Sequence, residues 1–340
     1  CRLHEKVPTG LSFTPFRFPH GGGIKKHLFQ GHCQRILRSA RFNLMFGLVH
    51  SKVANMNESK PPAGRPGPHA SVEASLRPTQ GWHCLHIYYT FDRGDLRQFS
   101  EQDLSAGKIE FCEVLNPEAP ESPERLQVSI VSGHKADFGL MVMDPDPLKV
   151  DAVHQRLMSS RLGTAIQTTY SFVSITEISE YVPTLEQYGE KLVREGDALG
   201  TPAYDAKLRA YEQRLPIMNR QRLTPDFPDY PATCFYPMNK KREVVENWFL
   251  LPFSKRNSLM AEHARSGMKY MGKVSQLITV GVGLEDWEWG VTLWAKNPEF
   301  LTEIVYEMRF DEASARYAEF GPFYTSYVSD AAGVLEHCQI

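Results

Sequence analysis

The sequence predicts an α+β protein built of two tandem ferredoxin-like units, which together make a subunit of the dimeric α/β-barrel type. Three observations carry this expectation. Aromatic and β-branched runs of strand length alternate with stretches whose apolar residues recur at helical spacing. These runs follow the order β-α-β-β-α-β, the split unit in which two crossover helices cover one sheet. The order then occurs a second time, beyond a helix-rich connector closed by Pro225, Pro228 and Pro231.

The first unit spans 81–182 and opens on Trp82-His-Cys-Leu-His-Ile-Tyr-Tyr-Thr-Phe91, whose rings and branched side chains suit a pleated, half-buried surface. A helical pattern follows over 93–107, then strands over 126–132 and 138–144, a helix over 148–159 and a strand over 168–177. The connector, 183–231, is rich in helix formers over 185–195 and 204–215. The second unit, 232–330, repeats the order: a strand over 232–238, a helix over 254–266, strands over 274–282 and 289–295, a helix over 298–309 and an aromatic strand over 321–327. Residues 331–340 are read as a tail. Two such units that pair their sheets leave room for a cavity between sheet and helices.

Residues 1–80 read differently. Up to residue 44, Arg2, Lys6, Arg17, Lys25, Lys26, Arg35, Arg38 and Arg41 stand against Glu5 alone, and no apolar period is sustained. Such a stretch suits either a transit peptide or an over-extended gene model whose translation begins at Met45 or Met56. The run Pro61-Pro-Ala-Gly-Arg-Pro-Gly-Pro68 favours an extended, solvated chain, so a disordered or mis-annotated extension is expected up to residue 80.

Over 340 residues, 42% hydrophobic content and a net charge of -2 describe a globular protein with no charge imbalance pointing to nucleic acid or membrane. No apolar run reaches the roughly 18 residues that span a bilayer. The six cysteines, Cys1, Cys33, Cys84, Cys112, Cys234 and Cys338, show no zinc-type spacing, which suits free thiols in a reducing compartment such as the cytoplasm.

Chemistry concentrates in the second unit. On the helix over 254–266, Leu259, Met260, His263 and Gly267 fall on one face, apolar and small. A histidine there either coordinates a metal through one ring nitrogen or is an ordinary hydrogen-bonded core residue, and taken alone the second reading is the commoner. Tyr236 and Lys240 lie at the end of a strand, where Pro237 is expected to stop regular pairing and Lys240, Lys241 and Arg242 supply successive cations. With Arg309 and Arg222 these cations imply a polycarboxylate ligand, because shielded charge-assisted bonds to carboxylate contribute about 1.5 to 3 kcal/mol each. Gln276 reads as a structural amide, and Trp287, Trp289 and Trp294 read as packing.

The ordered motifs justify a comparison. Gly133-His-Lys-Ala-Asp137, Tyr170-Ser-Phe-Val-Ser174, Phe235-Tyr-Pro-Met-Asn-Lys-Lys-Arg242, Asp286-Trp-Glu-Trp-Gly-Val-Thr-Leu293 and Val305-Tyr-Glu-Met-Arg-Phe-Asp-Glu-Ala-Ser-Ala-Arg316 resemble the chlorite dismutase superfamily, and within it the coproheme decarboxylase branch. The likeness runs from about residue 82 to 328 and leaves out 1–75. It implies that His263 is the proximal haem iron ligand, that Tyr236 is a redox-active tyrosine beside the reacting propionate, and that Lys240 is a nearby base or proton donor. It further implies that Arg222, Arg309 and Ser314 bind propionates and that Gln276 stands on the distal side, where glutamine argues against chlorite chemistry. The implied reaction is hydrogen peroxide-dependent decarboxylation of two propionates of coproheme III, which is both substrate and redox cofactor, to give haem b. A homopentamer supplied by a coproporphyrin ferrochelatase is implied likewise. The alternatives are a non-enzymatic haem-binding or transfer protein and a chlorite dismutase-like peroxidase. One departure stands out: the family's His-Gly-x-x-Gly-Arg-x-Tyr reads His263-Ala-Arg-Ser-Gly-Met-Lys-Tyr270, with Met268 replacing a cation.

Overall fold

A computed structural model describes residues 73–340, so the extension expected over 1–80 lies, as far as residue 72, outside the described residues. The first half runs β1 (His83–Phe91), α1 (Arg93–Leu96), α2 (Glu101–Val114), β2 (Arg125–Val131), β3 (Phe138–Asp144), α3 (Pro147–Ser159) and β4 (Ile166–Thr176). Two connector helices follow, α4 (Leu185–Arg194) and α5 (Pro202–Leu223). The second half runs β5 (Ala232–Lys240), α6 (Phe253–Met268), β6 (Val274–Val280), β7 (Trp289–Ala295), α7 (Pro298–Met308), α8 (Glu312–Ala315), β8 (Ala318–Phe320), β9 (Tyr324–Ser329) and α9 (Ala331–His337).

Within the first half the strands lie in the order β4-β1-β3-β2, and within the second in the order β6-β7-β5-β9, the same ferredoxin-like arrangement. The edges then join reciprocally. β4 pairs with β6 and β2 pairs with β9, all antiparallel, so eight strands close into a barrel and β8 extends β5. Closure leaves those eight strands without a free edge. Inside lie Tyr88, Phe172 and Phe235 in one cluster and Cys84, Met141, Met143, Leu277 and Trp294 in another. The buried polar groups here are paired: His86 stacks on Phe235 at 4.1 Å and bonds Thr292 at 2.8 Å, and Trp294 donates to Gln127 at 2.8 Å. Burial pushes the His86 pKa down to about 3, so it is a neutral core residue.

Three local departures from the sequence reading have physical causes. The single helix expected over 93–107 is two, because Asp92 and Ser100 each cap a new start: the Asp92 carboxylate accepts from Gly94 and Asp95, the Ser100 hydroxyl from Asp103. α5 continues through Pro216 to Leu223, tied by Thr176 Oγ1 donating to the Leu223 carbonyl at 2.7 Å and the Tyr211 hydroxyl to Pro183 at 2.6 Å. The strand expected to stop at 238 runs through Pro237 to Lys240. Pro237 is tolerated because it falls where β5 changes partner from β9 to β8, and its carbonyl on that side accepts from Gly321 at 2.8 Å. The strand expected over 321–327 begins only at Tyr324, after the connection Gly321-Pro-Phe323, and the short β8 before it was not expected. Beyond it, Val334 and Leu335 of α9 bury themselves in the first half's core. Among the described residues no helix is long and apolar enough to cross a membrane.

Candidate functional site

Tyr236 of β5 sits opposite Val291 of β7, and Val291 opposite Ile278 of β6. Directly paired residues share a face, so these three, with Gln276 two positions along, form one row on the outside of the barrel. Their neighbours Phe235, Thr292 and Leu277 point inward. Over β5 and β7 this outer face is covered by α7, which buries Leu301 and Ile304. Over β6 it is not. α6 packs against α7 and α8 instead of the strands, leaving Gln276 exposed and Ile278 40% exposed. The outer face of β6 is therefore left uncovered by α6.

His263 projects from α6. Its Nδ1 lies 2.8 Å from Asp311 Oδ2, and Asp311 caps the short helix α8, with Oδ1 accepting from the Ser314 amide at 2.9 Å. Burial works to raise the Asp311 pKa, but the bonds from His263 and Ser314 outweigh it and hold the carboxyl below its usual value. An ionised Asp311 can only accept, so Nδ1 carries a proton, and in the tautomer this selects Nε2 is the nitrogen with the lone pair. Nε2 has no hydrogen-bond partner among the described residues. A carboxylate behind one imidazole nitrogen with the other left free is what a metal-ligating histidine requires. Among the described residues no group of three or more His, Cys, Asp or Glu side chains could hold a bare ion. The donor set therefore fits an iron that brings its other ligands in a macrocycle.

Tyr236 is 6% exposed, stacked on Phe323 at 4.4 Å and met by the edge of Phe320 at 5.8 Å. Burial, with a smaller contribution from Cys234, pushes its pKa well above the ordinary phenol value, against the pull of Arg309. The group stays protonated at neutral pH. Lys240 donates to the Ala313 carbonyl at 3.2 Å and lies 4.4 Å from the centre of the Trp248 ring. Burial pushes its pKa down to about 8, partly opposed by Asp311. Asp311 thus acts on both the histidine and the lysine.

The expected run of cations is sorted by the fold. Lys241 pairs with Glu246, Arg242 with the buried Glu288, Lys255 with Glu312, Arg256 with Glu180 and Lys269 with Glu307. Lys240, Arg222 and Arg309 have no carboxylate partner among the described residues. Arg222 ends α5, where burial lowers its pKa; Arg309 caps α7 with its guanidinium 5.4 Å from the Phe320 ring. Ser314 is buried with its hydroxyl 3.4 Å from His263 Nδ1, on the histidine's carboxylate side. Two residues of the site escaped the sequence reading. Asp311 lies 48 positions from His263, and only its Asp-x-x-Ser capping pattern was visible; Trp248, beside Lys240, had no local signal.

Barrel, free imidazole nitrogen and unpaired cations together define a porphyrin-binding type of α+β barrel. The model of the family described as chlorite dismutase matches residues 105–329. A curated relative named coproheme decarboxylase, from Staphylococcus carnosus (strain TM300), is 35% identical over 251 residues, 73% of this chain and 92% of the relative. The chain belongs to the chlorite dismutase family. Among solved structures, a haem-binding protein from Thermus thermophilus superposes with a TM-score of 0.63 at 30% identity, over 79% of this chain and 100% of that one. A mutant chlorite dismutase from Candidatus Nitrospira defluvii gives 0.57 at 15% identity, over 76% and 96%, a likeness of fold.

Proposed function

We propose that the protein is a coproheme decarboxylase, an enzyme that converts two propionates of coproheme III to vinyl groups with hydrogen peroxide as oxidant and releases haem b. The observation that carries this reading is the placement of charge: the partly buried Lys240 and Arg222, and Arg309 beside Phe320, are without carboxylate partners among the described residues, whereas Lys241, Arg242, Lys255, Arg256 and Lys269 each have one. An acidic porphyrin supplies the missing anions. Its iron is suited to the free Nε2 of His263, and when bound it supplies the redox chemistry with peroxide.

The balance for each propionate is simple. One C–H and one C–C bond break, carbon dioxide leaves and one C=C bond forms; the two electrons lost, with the proton released from the side chain and one more from solvent, reduce one peroxide to two waters. The chain's own residues hold the side chain and handle protons. Tyr236, protonated and shielded, can give up a hydrogen atom and take one back from the propionate. Lys240, with a pKa of about 8, can hold a carboxylate as a cation and still exchange a proton near neutral pH. Arg222 and Arg309 hold the porphyrin in register. The same reading carries a homo-oligomer, on the family's pattern a pentamer, that receives coproheme from a ferrochelatase in the cytoplasm.

The test is to add ferric coproheme to the purified chain, titrate with peroxide and follow the porphyrin by mass spectrometry. Loss of two carboxyl groups, ending at haem b, is the expected outcome. Tight binding with no change of mass would turn the assignment to a haem-binding or transfer protein.

A further inference from the structure

The motif Gly133-His-Lys-Ala-Asp137 belongs to the family resemblance but has no part in the site described above. It forms the connection between β2 and β3 in the first half of the barrel. Asp137 ties its base: the carboxylate accepts from Thr90 Oγ1 at 2.9 Å and the Phe91 amide at 2.7 Å, and the Asp137 amide donates to the Tyr89 carbonyl at 2.8 Å. Gly133, at φ +92°, supplies a left-handed turn that a side chain would strain. Two bonds then cross to the second half. The Ser132 amide donates to the Thr325 carbonyl at 2.9 Å, and Lys135 Nζ donates to the Phe323 carbonyl at 2.6 Å, its ammonium 5.5 Å from the centre of the Tyr324 ring.

Phe323 is the ring that stacks on Tyr236, with planes 23° apart, and Phe320 meets the same phenol edge-on. Phe320 ends β8 and Phe323 closes the β8–β9 connection, so the orientation of Tyr236 depends on where that connection is held. One end is fixed by Gly321, whose amide donates to Pro237 and where a Cβ would stand 2.7 Å from Pro237 Cγ and 3.0 Å from Trp287. At Phe323 itself the tie is Lys135.

We propose that Lys135 is a positioning residue for Tyr236: reaching across from the first half, it holds the Phe323 carbonyl and thereby fixes the aromatic stack that orients the phenol. Its catalytic consequence rests on the function proposed above, because only a phenol that reacts with a propionate gains from a fixed ring plane. Lys135 itself is exposed and contributes little to the core, so the fold tolerates its loss.

The test compares the full chain with Lys135→Met and Lys135→Arg. Without porphyrin, nitration of Tyr236 by tetranitromethane, mapped by peptide mass spectrometry, is expected to accelerate severalfold in Lys135→Met and to return toward the parent rate in Lys135→Arg. With coproheme and peroxide, kcat is expected to fall about tenfold in Lys135→Met with KM unchanged, within the roughly hundredfold that a misplacement of about 1 Å can cost, and Lys135→Arg is expected to recover it. Unchanged nitration of Tyr236 would overturn the proposal. A raised KM at constant kcat would overturn it too, by making Lys135 a porphyrin contact. If the parent chain binds coproheme without converting it, the functional reading fails, and nitration still decides the positioning.

Discussion

In the first half of the barrel α3 lies on β1 and β3 through Val153 and Leu157, and Phe111 of α2 reaches the Phe91 and Phe138 rings of the same sheet; these helix residues, with the α2 C-cap Leu115, are no more than 1% exposed. In the second half α6 buries Leu259 alone and stands off β6, so Gln276 and Ile278 face open space. Strand order is the same in both halves. What differs is whether the first crossover helix has large apolar side chains to set down on the sheet. Phe111 of α2 reaches the sheet, whereas Leu259 of α6 packs with Trp248, Ala313 and Tyr317 instead. The candidate site lies where the helix leaves its strand uncovered, and the closed barrel beneath does not depend on that helix for its strand pairing.

The buried tyrosines give the sharpest way to break this comparison. Tyr89, in the packed half, bonds His154 Nδ1 at 2.9 Å, whereas Tyr236 has no hydroxyl partner among the described residues. Tyr236→Phe is expected to lower coproheme turnover by at least about a thousandfold, about 4 kcal/mol, with porphyrin affinity nearly unchanged in a Soret titration. Tyr89→Phe should instead cost about 1 kcal/mol in stability by urea unfolding and leave turnover alone. Full activity in Tyr236→Phe would remove the phenol from the mechanism.

Truncation in the two halves should separate as clearly. Phe111→Ala is expected to cost about 3 to 5 kcal/mol of unfolding free energy, because it empties a filled core. Ile278→Ala, at 40% exposure, should cost less than about 1 kcal/mol. Equal losses would mean that α6 closes on the sheet in solution. Asp311→Asn comes next: loss of the carboxylate behind the imidazole should weaken haem binding about 10- to 100-fold. The depressed Asp311 pKa also contributes stability that is present above the ordinary carboxylate value and lost as pH falls through the lower folded value, so the variant should lose less stability on acidification.

Lys240 gives a modest effect with a distinctive pH dependence. With a folded pKa of about 8 against an ordinary 10.5, the lysine is charged in both states below pH 8, where the cost of burying it is fully present. Between those values the unfolded chain binds more protons, so stability rises with pH. Lys240→Met should therefore be more stable than the parent by about 1 to 2 kcal/mol at pH 7, with the gap closing toward about pH 10 in urea melts. Coproheme affinity in the parent should fall as pH rises through about 8, and this dependence should vanish in the variant.

Elements carried by a single apolar run were legible at their observed bounds or within two residues of them: β3 at Phe138–Asp144 and β7 at Trp289–Ala295 have no competing local signal. Breaks were harder to see. Ser100 as a cap inside one helical pattern, and Pro237 inside a strand, are decided by which partner lies alongside. In the candidate site, Tyr236, Lys240 and His263 stood out by residue type and motif, whereas Asp311 and Trp248 did not, since an acid near a helix start and a lone tryptophan between two longer elements are ordinary in sequence.

By itself the sequence determined the strand and helix periods, the repeated β-α-β-β-α-β order and the residue types of the site, because these follow from side-chain shape and local spacing. The pairing of the two sheets was expected as well; only the tertiary structure decided which strands join, β4 with β6 and β2 with β9, that α6 packs on α7 and α8, and that Lys241 and Arg242 are neutralised while Lys240, Arg222 and Arg309 find no carboxylate among the described residues. The reason is range: a strand's second partner, a helix's distance from a sheet and a cation's nearest carboxylate are set by contacts between separate elements, which no local pattern encodes.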